Sequence, residues 1–136
     1  MLISLTIIIT EEGDSVTLVP CGGKGAGKST FIRYMCNRLL QRSVCLLPFC
    51  LLLFFSDLPL YVLDVDIGQT EFTPSGCMSL VKVTKPLLDL PWAHQQADFD
   101  FSYFYGGVSP ADDMSKYKVR AFLYFRPVFR ESSNVY

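Results

Sequence analysis

Apolar residues gather in short β-branched runs on either side of one stretch with a helical period. Residues 2–10 (Leu-Ile-Ser-Leu-Thr-Ile-Ile-Ile-Thr) read as a strand, and Glu11-Glu12-Gly13-Asp14 as the turn joining it to a second strand at residues 15–19. Ile32, Met35, Cys36, Leu39 and Leu40 then fall at i, i+3, i+4, i+7 and i+8, one apolar face of a helix predicted over residues 28–41. Arg33, Arg38 and Arg42 are expected on its exposed side. Tyr61-Val62-Leu63-Asp64-Val65-Asp66 reads as another strand, and the aromatic alternation of residues 101–105 as one more, ended by Gly106-Gly107. Residues 86–92 read as a loop in which Trp92 packs rather than stacks on a base.

Between the second run and the helix stands Gly22-Gly23-Lys24-Gly25-Ala26-Gly27-Lys28-Ser29-Thr30. Gly22 to Ser29 fits G-x-x-x-x-G-K-[ST], the phosphate-binding P-loop, and a strand before it with a helix after it is the context that motif requires. Glycines let the backbone curl until its N–H groups point inward, and the helix start adds partial positive charge. Lys28 is thereby placed to reach the β- and γ-phosphates of a nucleotide, and the Ser29 hydroxyl to hold Mg²⁺.

A P-loop strand needs a neighbour that ends in an acid. Asp64 and Asp66 close their strand at its carboxyl end, where open α/β sheets bind ligands. Alternation sends both to one face, one pleat apart, so that one can hold Mg²⁺ through water while the other orients or deprotonates an attacking group. The expected fold is therefore α/β: a P-loop NTPase-type parallel sheet with flanking helices, incomplete. Residues 15–19 and 61–65 are its adjacent strands and helix 28–41 its right-handed crossover.

Composition narrows the picture. The 136 residues allow one domain; half are hydrophobic and the mean hydropathy is +0.30, high for a soluble domain. A net charge of −1 gives no global pull toward nucleic acid or an anionic membrane. The five cysteines (Cys21, Cys36, Cys45, Cys50, Cys77) form no C-x-x-C pair and read as free thiols in a reducing compartment. His94 is the only histidine, which argues against a histidine-based metal site. The amino terminus lacks the positive region of a signal peptide.

The stretch from Asp64 to Gly76, Asp-Val-Asp-Ile-Gly-Gln-Thr-Glu-Phe-Thr-Pro-Ser-Gly, resembles the signature of the polynucleotide 5′-hydroxyl kinases, in particular their nucleolar branch acting in ribosomal RNA processing. Gly27 to Tyr34, Cys77-Met78-Ser79-Leu80, and Tyr103-Phe104-Tyr105-Gly106 followed by Ser109-Pro110 resemble that branch too. The resemblance covers roughly residues 15–43 and 61–117. It implies ATP and Mg²⁺ as cofactors and an RNA 5′-hydroxyl end as acceptor, pre-rRNA in this branch. It also implies pre-rRNA processing proteins as partners, a nuclear, nucleolar location and no membrane. Lys28 would bind the phosphates, with Ser29 and Thr30 beside it. Asp66 would stand near the 5′-hydroxyl and the metal-bound water, with Gln69 as a polar contact.

Two stretches depart from the family. Residues 44–60 form an atypical apolar insert, too short for a bilayer span and broken by Pro48. Its Leu, Phe, Pro and Ser share pyrimidine-rich codons, which reads as a retained intron end; a family-specific hairpin or helix is the alternative, and transcripts all lacking a junction there would favour it. Residues 118–136 read as an unrelated tail. Lys116, Lys118, Arg120, Arg126 and Arg130 make a basic stretch expected to be a solvated tail rather than an RNA contact. The R-x-x-x-R spacing of Arg126 and Arg130 imitates a lid pair, but Pro127 between them points to coincidence.

The chain thus reads as a partial P-loop kinase domain over residues 1–136, without the family's nucleotide clasp and arginine-bearing lid, and little activity is expected of it. The alternative is a non-catalytic nucleotide-binding fragment or isoform. A GTPase is disfavoured because no N-K-x-D motif occurs, Thr84-Lys85-Pro86-Leu87 being the nearest fragment.

Overall fold

A computed structural model describes residues 5–11, 14–41, 59–95 and 99–130. The apolar run at 44–60 lies outside them except for its last two residues. Five strands form one sheet: β1 (Leu5–Glu11), β2 (Asp14–Leu18), β3 (Leu60–Asp64), β4 (Cys77–Lys82) and β5 (Phe101–Phe104). Helix α1 (Lys28–Leu40) follows β2, and α2 (Met114–Arg130) follows β5.

Alternation along β3 sorts the core into two layers. Leu60 and Val62 meet Ile32, Cys36 and Leu39 of α1, together with Phe72, Val81, Val83 and Leu87. Leu63 and Val65 point the other way, onto Ile67, Met78 and Tyr105, with Tyr117 and Ala121 of α2 against them. The result is a helix on each face of the sheet. Ile32 and Leu39 are almost wholly buried, which stabilises the fold by about 1.5–3 kcal/mol each.

The α/β class stands, but the strand pairing differs from expectation. The order is β2-β1-β3-β4-β5, and every neighbouring pair is antiparallel. The expected hairpin is present, with Glu11 opposite Asp14, and it decides the rest. Once β1 lies beside β2, its other edge takes β3, pairing Ile7 with Val62 and Ile8 with Tyr61. Strands β2 and β3 still run in the same direction, but β1 separates them. Their carboxyl ends therefore share one end of the sheet, two strand spacings or about 10 Å apart.

The basic stretch lies on helix α2, where Lys116 and Lys118 are exposed. Asp113 caps it, its Oδ1 accepting the Lys116 N–H at 2.9 Å. Lys116 and Arg120 lie over the rings of Tyr105 and Tyr103, each 4.8 Å from the ring centre. The side chains of Arg126 and Arg130 lie outside the described residues. Trp92, in a 3₁₀ turn at Pro91–Ala93, is 68% exposed, not packed as expected. Among the described residues no helix is long and apolar enough to cross a membrane.

Candidate phosphate-binding site

The loop from Gly22 to Gly27 joins β2 to α1 and has the backbone its glycines permit. Gly25 and Gly27 adopt φ of +77° and +78°, a left-handed conformation that costs a residue with a Cβ about 1–2 kcal/mol. A Cβ on Gly22 would stand 3.1 Å from that of Ala26. Helix α1 begins at Lys28 with neither a side-chain cap nor an acid in its first turn. Its first amides thus have no anionic side chain of their own to satisfy them. The Lys28 side chain turns back over the loop, and Nζ donates to Gly22 O at 3.1 Å and Gly23 O at 2.7 Å. Ser29 and Thr30 are exposed beside it, as are Gly23, Lys24, Gly25 and Ala26.

At the end of β3 the two acids divide their work. Asp64 is fully buried; Oδ1 accepts the Asp66 N–H at 3.1 Å and Oδ2 the Glu71 N–H at 2.7 Å. Burial pushes its carboxyl up to about 7, with the Asp66 and Glu71 charges adding and the two amides opposing. Each oxygen thus accepts one backbone N–H, and Asp64 helps to frame the loop that follows β3. Asp66 is half-buried, and its Oδ1 accepts from Gly68 N at 3.2 Å and Gln69 N at 3.1 Å. Gln69 itself is exposed. Tyr117 reaches the same end of the sheet, where its hydroxyl donates to Val65 O at 3.0 Å.

The motif after Asp66 is mostly architecture. A Cβ on Gly68 would meet the Val108 carbonyl oxygen at 2.8 Å, so this loop closes only over glycine. Gly76, at φ +90°, donates to Ile67 O at 2.7 Å and accepts the Tyr105 N–H at 2.7 Å. The Thr70 hydroxyl donates to Thr73 O, and Phe72 enters the core beneath α1.

A buried ion pair was missed by sequence reasoning. Arg33 does not lie on the exposed side of α1. Its Nε and Nη2 each donate to Glu71 at 2.8 Å, a two-pronged contact with a carboxylate 3% exposed. His94 Nδ1 lies 2.7 Å from Glu71 Oε1, while its Nε2 accepts the Asp89 N–H at 3.1 Å. An accepting Nε2 leaves the ring proton on Nδ1, which donates to Glu71. The same burial, with the Glu71 charge adding, pushes the Cys36 thiol up to about 12. The signal was present in Gly27–Tyr34 and Asp64–Gly76, since each of these stretches carries one half of the pair.

Chemistry and cavity do not coincide. A cavity of about 600 Å³ is lined by Phe72, Lys82, Lys85, Leu87, His94 and Phe99 among others, and no residue of the phosphate loop borders it. The loop geometry is the better guide, because a phosphate site is made by backbone amides at an open helix start.

Among the described residues no three His, Cys, Asp or Glu side chains gather in a metal-binding group.

A family model described as the mRNA cleavage and polyadenylation factor CLP1 P-loop matches residues 22–131. The chain is 46% identical over 105 residues to the polynucleotide 5′-hydroxyl-kinase nol-9 of Caenorhabditis briggsae, covering 77% of this chain and 17% of that protein. It is 38% identical over 114 residues to the polynucleotide 5′-hydroxyl-kinase NOL9 of Bos taurus, covering 83% and 14%. Against the Homo sapiens protein of the same name it is 39% identical over 93 residues, covering 68% and 11%. The chain thus spans less than a fifth of the length of these relatives. No solved structure matches it.

Proposed function

Because the chain belongs to the CLP1 P-loop family, we propose that it binds ATP on residues 22–30 and serves transfer of the γ-phosphoryl group to an RNA 5′-hydroxyl. The observation that carries this reading is the Lys28 ammonium, held over the loop by Gly22 O and Gly23 O at the same end of the sheet as Asp66. On binding, Lys28 exchanges those carbonyls for β- and γ-phosphate oxygens. A bond forms between the RNA hydroxyl oxygen and the γ-phosphorus, the bond to the β,γ-bridging oxygen breaks, and ADP leaves. Asp66 takes the hydroxyl proton, and Gln69 offers a polar contact in the same loop. Mg²⁺ supplies charge neutralisation on the phosphates when bound, with Ser29 and Asp66 (through water) as its protein partners.

Transfer of label from γ-labelled ATP to a 5′-hydroxyl RNA oligonucleotide tests the reading, with Lys28→Ala as control. Labelled RNA with the unaltered chain and none with the variant supports it. A second reading, nucleotide binding without transfer, has one observation in its favour: the Arg33 guanidinium is held by Glu71 through two hydrogen bonds rather than offered to a γ-phosphate. ATP binding that depends on Lys28 but leaves the RNA unlabelled would select it. The setting that goes with transfer is pre-rRNA processing in the nucleolus. Counting 5′-hydroxyl ends on pre-rRNA after depletion of the protein, and locating a tagged copy, would check that setting.

A further inference from the structure

The Glu71 side chain has no part in the chemistry above, yet three elements converge on it. Arg33 comes from α1, one helical turn beyond Ser29 and on the same face. His94 comes from the 3₁₀ turn that follows β4. Glu71 itself closes the loop that begins at Asp66. A buried carboxylate needs partners of this kind merely to exist. Its backbone adds something more, because the Glu71 N–H holds Asp64 Oδ2 at 2.7 Å and Asp64 Oδ1 holds the Asp66 N–H at 3.1 Å. An unbroken series of short contacts therefore runs from the helix carrying Ser29, through Arg33, Glu71 and Asp64, to Asp66. The fork between Arg33 and Glu71 is planar and directional, so it fixes the rotation of α1 about its own axis as well as its distance from the loop.

We infer that Glu71 is a positioning residue: through Arg33 on one side and Asp64 on the other, it sets the spacing between the start of α1 and Asp66, so that Ser29 and Asp66 can share one divalent cation. This rests on the nucleotide site proposed above. Phosphate binding by the loop itself is local to residues 22–30 and does not need the clamp. Sharing a cation across the gap left by β1 does need it.

The test is the affinity of the chain for a fluorescent ATP analogue, measured with Mg²⁺ and with EDTA, alongside a thermal melt. Glu71→Gln keeps the shape and removes the charge; Arg33→Lys keeps the charge and removes the fork, and serves if Glu71→Gln does not fold. In both variants metal-free affinity should stay near that of the unaltered chain, while the tightening produced by Mg²⁺ shrinks by about tenfold or more, the usual effect of losing a residue that orients metal ligands. An undiminished Mg²⁺ effect in a folded variant overturns the inference. A parallel loss with and without metal also overturns it, since that is what a purely structural ion pair produces. A wild-type affinity indifferent to Mg²⁺ overturns it as well. Failure of the nucleotide site looks different: Lys28→Ala would then bind the analogue as well as the unaltered chain does.

Discussion

The Glu71 N–H donates to Asp64 Oδ2 at 2.7 Å, and this contact ties the buried acid of β3 into the frame of the loop that follows it. Two aspartates two positions apart consequently have different duties. Replacing each by asparagine should separate them. Asp64→Asn puts an amide NH₂ against one of two backbone donors and should cost about 1–3 kcal/mol of stability, read as a lowered melting temperature. Asp66→Asn should leave the melting temperature nearly unchanged while abolishing label transfer to RNA. Equal melting losses in the two variants would contradict this division.

Lys28→Ala removes a cation that now holds Gly22 O and Gly23 O and is placed to exchange them for phosphate oxygens. Charge-assisted hydrogen bonds contribute about 1.5–3 kcal/mol, so affinity for ATP should fall roughly 10- to 100-fold. Titration with a fluorescent ATP analogue measures it. Ser29→Ala should lose affinity only when Mg²⁺ is present.

Two glycines of the site offer an internal comparison. A Cβ at Gly68 would meet the Val108 carbonyl oxygen at 2.8 Å, whereas one at Gly23 would meet nothing within 4 Å. Gly68→Ala should destabilise by about 1–3 kcal/mol through forced backbone shifts. Gly23→Ala should stay within about 0.5 kcal/mol of the unaltered chain. Chemical denaturation of both variants decides the point, and an equal loss in the two would contradict the packing at Gly68.

Cys36 gives a prediction in pH. Its thiol is pushed from 9.0 up to about 12, by burial first and the Glu71 charge second, so the folded chain holds this proton more tightly than the unfolded one. The associated stability is complete below about pH 9 and is lost as pH rises toward 12, at no more than about 1.4 kcal/mol per pH unit. Cys36→Ala should flatten that part of the stability profile. At pH 8 an alkylating reagent should modify the exposed Cys21 and spare Cys36 until the chain unfolds, which mass spectrometry of labelled peptides can follow.

What the sequence determined by itself is local. The phosphate loop, the start of α1 at Lys28, the hairpin of β1 and β2 and the acid-ended strand β3 depend on glycine backbone freedom, on periods of 3.6 and 2, and on turn residues, all properties of neighbours along the chain. Helix α2 stayed hidden because its basic residues read as a solvated stretch, although Asp113 stands at the position of a capping acid. What only the tertiary structure decided depends on partners far apart. Arg33 looks exposed until Glu71, 38 residues later, comes to lie beneath it. The sheet order could not be read because β1 and β2 both carry β-branched residues and either could take the edge of β3. Non-local pairing settled that competition, and with it the separation of β2 from β3 by β1. A charge on a helix surface and a free strand edge carry no record in the sequence of what will meet them, because burial and edge pairing are fixed by the whole packed chain rather than by any segment of it.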